Sequence, residues 1–453
     1  MVSFAASIIA VASGPSGDNH VYLHQLAQFL RETNSNSGDD DADDTLVLDD
    51  LVHQFRAART IHFLASCGSN QYGQLAIPQR EGRYEDAHRW TESTVHLSKD
   101  QSCPAVIEDV YAGGGHSAVR TRGGQLYLWG WNEQGQCPSG FSSMTGNGAI
   151  LVDPLPGIQV ADAALGFSHT LVVEEGTRRL YAFGDNRMGQ VTLKEEGKFM
   201  KEPTTLPLLA DQRIQHCAAG LFHSAVVTDM GHIFVFGGTC VTEKWELPDA
   251  RFVKVVCGAR NLVLGLDNRG RLWSSGSNNK YGQCGRTVTT GPSQFGPVEF
   301  NLDGLQCVDV QCGWSHVLAL VQDPLDSSKV FLYGWGRNDL GQLGTGSTDH
   351  QSLPVKLSPE SPSFVRCGSE SSIVALPNGE VQCCGWNEHG NLGCGDPKET
   401  LTVLSWTPTT HFDASPMLPA NWDHRSAENA GVGQLKIAAG GAHVLALRVS
   451  TSS

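Results

Sequence analysis

Apolar residues in this chain come in short bursts of roughly four to six, each closed by a glycine or a polar turn. SAVRTRGGQLYLWG (117–130), VVTDMGHIFVFG (226–237) and LGLDNRGRLWSSG (264–276) each run apolar, turn, apolar. Bursts of this length flanking RGG, DMG or DNRG predict β-hairpins. Only the first 60 residues read differently. HVYLHQLAQFLRE (20–32) places Val21, Leu26, Phe29 and Leu30 at helical spacing, and LDDLVHQFRAAR (48–59) predicts a second amphipathic helix. The acidic, Asn/Ser-rich link between them (33–44) predicts a flexible tether.

The hairpins belong to a repeat. One motif is a glycine loop: GSNQYGQ (68–74), GWNEQGQ (130–136), GDNRMGQ (184–190), GSNNKYGQ (276–283), GRNDLGQ (336–342) and GWNEHGN (385–391). IFVFGGTC (233–240) keeps the strand and glycine and loses the rest of the loop. The second motif alternates with it: AGGGHSAV (112–119), LGFSHTLV (165–172), AGLFHSAV (219–226), CGWSHVLAL (312–320) and AGGAHVLAL (439–447). CGARNLVL (257–264) and CGSESSIV (367–374) occupy the same slot without the histidine. From this motif's glycine to the next loop glycine is 17 or 18 residues, except between Gly313 and Gly336, where QDPLDSSK is added.

Each unit is too small to bury both faces of its own sheet, whereas radial stacking buries them and ring closure removes the open edges. First halves occur at Gly113, Gly166, Gly220, Gly258, Gly313, Gly368 and Gly440. Second halves occur at Gly68, Gly130, Gly184, Gly237, Gly276, Gly336 and Gly385. The chain opens with an orphan second half and ends with an orphan first half. These predict an all-β, seven-bladed β-propeller in which the two termini share a blade. The expected organisation is an acidic extension (1–60), a propeller (61–448) and a short tail (449–453).

A formal charge of −15 argues against a general nucleic-acid partner, since phosphate binding needs a basic face. The 13 cysteines are odd in number and contain no C-x-x-C pair, so a reducing compartment without structural metal is expected. No apolar run reaches membrane length. A soluble monomeric propeller, cytoplasmic and also suited to the nucleus, is the expectation.

The alternation G-x-x-H-[ST]-x-[AVL], hairpin, [YF]-x-[WFG]-G-x-N-x-x-G-Q resembles the repeat of the regulator of chromosome condensation family, over roughly residues 61 to 448. CGSESSIVALPNGEVQCCGWNEHGN and IAAGGAHVLAL are most similar to its secretion-regulating exchange-factor branch, with a tubulin-suppressor branch second. The resemblance implies a propeller that works through protein contacts. Members exchange nucleotide on a small GTPase at chromatin, regulate secretion, assist tubulin, or pair with a small zinc protein of tRNA-modification and diphthamide pathways. It therefore implies a guanine nucleotide exchange factor-like regulator of a small GTPase. The alternative is a scaffold without GTPase activity. DDDADD (39–44) stands where the chromatin-bound member would carry a basic arm, which argues against chromatin binding.

His116, His169, His223, His316 and His443 occur one per unit, so symmetry spreads them around the ring instead of converging them on a metal. Each is expected to hydrogen-bond a neighbouring backbone group or blade. Cys257, Cys312 and Cys367 share a slot that elsewhere holds Ala, Leu or Gly, and read as packing residues. His389 reads as a loop residue of one copy. Position x of G-x-N varies (Ser69, Trp131, Asp185, Ser277, Arg337, Trp386), and variation marks the candidate partner site. Trp131, Arg337 and Trp386 have the chemistry of interface anchors, with Glu133, Asp339 and Glu388 as a polar border. Packing of each Trp on its own loop is the other reading. Segments 76–107, 191–216 and 396–436 exceed what blade connections need and are further candidates. No P-loop, nucleophile elbow or H-E-x-x-H motif appears, so no catalytic residue and no cofactor is expected.

Overall fold

The structure, a computed structural model, describes residues 60–451 except 78–83, 94, 98–105, 139–142, 145–149, 153–154, 193–196, 239, 290, 303, 360, 396–397, 399 and 410–433. The helices expected at 20–32 and 48–59 lie outside these residues. The recurring interval between the two motifs has a simple origin. The motif histidine opens one strand of a hairpin, the loop glycine closes the other, and the two stand opposite each other. His116 faces Gly130, His169 faces Gly184, His223 faces Gly237 and His316 faces Gly336. The segment added before Gly336 only lengthens its hairpin, out to Asp323 opposite Asp326.

An inner strand precedes each hairpin, and an outer strand follows it in every blade but the first, whose sheet has three strands among the described residues. In blade 2 the antiparallel order is Val160–Leu165, His169–Glu174, Leu180–Asp185, Phe199–Thr205. Blade 1 spans 107–130, and blades 3 to 6 span 214–245, 252–297, 306–357 and 364–408. Blade 7 is split. Gln434–Ala439 and His443–Thr451 form its inner half, and Thr60–Gly68 and Ala87–Glu92 its outer half. Thr60–Gly68 pairs with His443–Thr451 at nine consecutive positions, from Thr60 opposite Thr451 to Gly68 opposite His443. Head and tail of the ring therefore share one sheet.

Three outer strands occupy segments that read from sequence as over-long connections: Ala87–Glu92, Phe199–Thr205 and Thr402–Pro408. Their side chains are largely exposed or half-exposed, so no period-two apolar signal marks them.

The core is divided among the seams. Seven apolar clusters lie one between each pair of adjacent blades, with Phe183 of blade 2 on Leu128 of blade 1 and Trp335 of blade 5 on Leu264 of blade 4. The closing seam packs Leu64, Leu445 and Leu447 against Val119 and Trp129. A buried leucine of this kind stabilises by about 2–3 kcal/mol.

Around the central channel the backbone forms a girdle. The N–H after each motif glycine donates to a carbonyl of the following blade: Gly114 to Gly166, Phe167 to Gly220, Leu221 to Gly258, Ala259 to Trp314, Trp314 to Ser369, Ser369 to Gly440, and Gly441 back to Gly113. A Cβ on the motif glycines would collide with the neighbouring blade's carbonyl or with the unit's own histidine. Loop glycines are constrained separately. Gly68 has φ +105°, and a Cβ there would strike the Ala442 carbonyl. Gly68→Ala should therefore lower unfolding free energy by about 3 kcal/mol, read as a drop in the urea midpoint. A midpoint within error of wild type would refute the backbone argument.

Candidate functional site

Each of the five motif histidines ties its blade to the next. His443 Nε2 lies 2.9 Å from Ser117 Oγ, and the Ser117 hydroxyl donates to the Gln74 carbonyl at 2.8 Å. With its proton committed to Gln74, the hydroxyl accepts from the imidazole, which places the N–H on Nε2. The same relay joins His116, Thr170 and Gln136, then His169, Ser224 and Gln190, and then His316, Ser372 and Gln342. His223 instead reaches the Leu262 carbonyl at 3.2 Å, because blade 4 carries Leu262 where blades 1, 2, 3 and 6 carry Ser117, Thr170, Ser224 and Ser372. Burial pushes these imidazoles down, to about 3 for His116 and His169 and about 4 for His223, His316 and His443. They are neutral latches.

Cys257, Cys312 and Cys367 end inner strands of blades 4, 5 and 6 beside the channel. Burial raises all three thiols, Cys367 to about 12, which keeps them protonated and unreactive. Lower in the ring, Asp109 bonds Lys436 of blade 7, and Asp309 bonds Lys254 of blade 4. Burial opposes ionisation of both aspartates, yet these cations hold them below the usual carboxylate range. Among the described residues no group of His, Cys, Asp and Glu could hold a metal ion, and no helix is long and apolar enough to cross a membrane.

The girdle and the glycine loops share one face. The residue after each loop glycine donates its N–H to the last variable residue of the G-x-x-H turn: Trp131 to Gly115, Asp185 to Ser168, Arg337 to Ser315, Trp386 to Glu370. Trp131, Arg337 and Trp386 therefore ring the channel mouth, but in separate groups. Trp131 stacks on Tyr72 at 5.4 Å between ring centroids and meets Phe167 edge-on at 5.8 Å. Phe167 in turn meets Trp314 at 6.3 Å. This chain of rings comes from blades 7, 1, 2 and 5 and crosses the mouth, so Trp131 packs on neighbouring blades, not on its own loop.

Trp386 does pack on its own loop, perpendicular to His389 at 5.4 Å. His389 Nδ1 lies 2.8 Å from Asp86 Oδ2, which raises the imidazole above its ordinary value. Arg337 is already committed, to Asp339 at 2.7 Å and to the buried Glu370 at 2.6 Å, with its guanidinium over Tyr281. Burial raises Glu370 despite Arg337 and the Gln342 amide. Glu133 and Glu388 are exposed on the same loops.

Between Trp314 and Arg337 on one side and Phe222 on the other lies a crevice of about 470 Å³. Tyr72, Phe167, Phe222, Tyr281, Trp314 and Glu370 are absent from the sequence-based candidates. All six lie at variable positions, Tyr72 and Tyr281 before the second glycine of the loop and the other four at the two free positions of G-x-x-H, which vary as much as x of G-x-N (GFSH, GLFH, GWSH, GSES).

Fold and face together define a seven-bladed propeller whose chemistry is presented by variable loops on a fixed backbone ring. A sequence model of the RCC1-like domain matches residues 63–446, and the chain belongs to that family. A second family model, ChaC-like protein, matches residues 1–55, which lie outside the described residues. Secretion-regulating guanine nucleotide exchange factor of Mus musculus is 29% identical over 389 residues, covering 76% of this chain and 78% of that one. The Ultraviolet-B receptor UVR8 of Arabidopsis thaliana is 28% identical over 317 residues, 64% of this chain and 67% of the receptor. Among solved structures, Prp20p of Saccharomyces cerevisiae, described with its binding properties to Gsp1p and histones, superposes with TM-score 0.68 at 18% identity, covering 86% of this chain and 92% of that one.

Proposed function

We propose that the chain is a protein-interaction module that regulates a small GTPase, in the manner of a guanine nucleotide exchange factor. The observation that carries this reading is the aromatic chain Tyr72, Trp131, Phe167 and Trp314, half-exposed at the channel mouth and flanked by charged loop residues. Aromatic anchors inside a charged border are the composition of protein-binding hot spots. Relatives named as exchange factors support the GTPase as partner class. Such a regulator acts by binding the nucleotide-free GTPase more tightly than the loaded form, so that the difference in affinity expels the nucleotide.

Immobilised chain is expected to retain a nucleotide-free small GTPase from a purified panel and to release it when GTP is added. Trp131→Ala should weaken retention by at least about tenfold while leaving the melting temperature within a few degrees. If no member of the panel shows nucleotide-sensitive binding, or retention ignores Trp131→Ala, the proposal fails. Capture of a small zinc protein, indifferent to nucleotide, would instead establish the scaffold alternative.

A further inference from the structure

The seam between blades 3 and 4 differs from the other six. Wherever the G-x-N loop is present, it lies over the next blade. Gln74, Gln136, Gln190 and Gln342 offer their carbonyls to hydroxyls there, and Gln283 offers its carbonyl to Trp335 Nε1. Blade 3 has no such loop. Its strand Ile233–Gly237 runs into Gly238, and Asn261 closes so tightly on Gly238 that a Cβ there would collide with its amide.

Blade 4 has changed at the facing position. Asn261 replaces the motif histidine, and Arg260 and Asn261 hold φ of 52° and 55°, which non-glycine residues adopt rarely and at a cost. The missing loop leaves the crevice of about 470 Å³. That is the size of a built ligand pocket, and far more than an imperfect seam would leave.

Its walls are apolar and its mouth is cationic. Met188, Leu221, Phe222, Tyr281 and Trp314 line it, with Phe222 40% exposed. Among the described lining residues the one carboxylate, Glu370, is paired with Arg337. Arg260 is exposed at the crevice, and no ion pair engages it among the described residues. Lys280, also exposed, sits 5.0 Å from the centre of the Tyr281 ring. In a chain of formal charge −15, Arg260 and Lys280 thus form a cationic edge beside an apolar slot, with no ion pair to either among the described residues.

We infer that this crevice binds an extended segment of a partner protein in which an aromatic or long aliphatic side chain stands beside a carboxylate. The apolar side chain fills the slot between Phe222 and Trp314, and the carboxylate meets Arg260. Local charge of opposite sign sets both encounter rate and selectivity against basic segments. The inference rests on reading this face as a protein-docking surface, but not on the partner being a GTPase.

The full chain serves as bait for a displayed library of random dodecapeptides, with Arg260→Glu and Phe222→Ala as parallel baits. Enriched peptides should carry an aromatic or long aliphatic residue next to Asp or Glu. A synthetic copy should bind wild type and lose at least about tenfold in affinity on Arg260→Glu and on Phe222→Ala, with the circular dichroism of both variants unchanged. Enrichment of basic or uncharged peptides, no enrichment, or equal binding to Arg260→Glu overturns the inference. Nucleotide-sensitive capture of a GTPase, run beside it, reports on the wider reading separately: capture that persists while the peptides fail removes the crevice proposal alone.

Discussion

A circular permutant that joins residue 451 to residue 60 and opens the chain at Leu325 should fold at least as stably as the parent, whereas deletion of Thr60–Gly68 should abolish folding. Both expectations come from the split blade. Thr60 and Thr451 are cross-strand partners, so a two-residue turn spans them, and Leu325 is 96% exposed at the tip of the longest hairpin. The permutant turns a pairing of distant segments into a local hairpin and reduces the loop-closure entropy of folding. Deletion removes the buried Leu64, Ala65 and Cys67 and uncovers Leu445 and Leu447. It also frees one whole edge of His443–Thr451.

Of these five side chains, the three leucines lost or bared at about 2 kcal/mol each, plus a ladder of unpaired backbone groups at about 1 kcal/mol each, match the roughly 5–15 kcal/mol stability of an ordinary domain. Thermal unfolding by circular dichroism measures both variants. A cooperative transition in the deletion variant, or its absence in the permutant, contradicts the closure.

Acid should unfold this protein early, between about pH 5 and 5.5. In the unfolded chain each motif histidine takes a proton near 6.5. In the folded chain burial delays that proton to about 3 or 4. The unfolded state therefore binds protons first. The stability these five residues contribute is complete above about 6.5 and falls as pH drops towards the folded values. At pH 5 each imidazole costs about 2 kcal/mol, and five together about 10 kcal/mol, which rivals total stability.

Asp109 and Asp309, held low by their lysines, act in the same direction at lower pH. Glu370 and His389, both raised, oppose it weakly. Urea midpoints between pH 4.5 and 8 give the slope. Replacing His169 and His316 by Asn, the residue blade 4 already uses at this position, should move the acid midpoint downward. An acid transition below pH 4 in the parent would show that the latches carry charge in the fold.

The parts of this molecule that repeat were legible in its sequence, because symmetry makes one residue evidence for six others. The fixed interval from Gly113 to Gly130 and its copies is the length of a hairpin, and the orphan halves at each end imply the shared blade. What escaped was whatever breaks the repeat or crosses it. Phe167 and Trp314 meet over the channel from blades 2 and 5, a contact that no spacing along the chain records. Arg337 looked like a free anchor because its partner Glu370 lies in the next unit, at a position where other copies carry Gly, Ser, Phe, Arg or Ala. The crevice arises from residues that are missing after Gly238, and an absence shows up only against neighbours that possess the loop.

The backbone girdle obeys one geometric condition: its seven steps must sum to a full turn. If a ligand wedges one pair of sectors apart by a few degrees, the remaining six angles must shrink by that total, however far away they lie. The disc therefore behaves less like a stack of springs than like a hoop of rigid plates. A change of angle at the Arg260 crevice is shared out among all the other seams, the one beside Trp386 included.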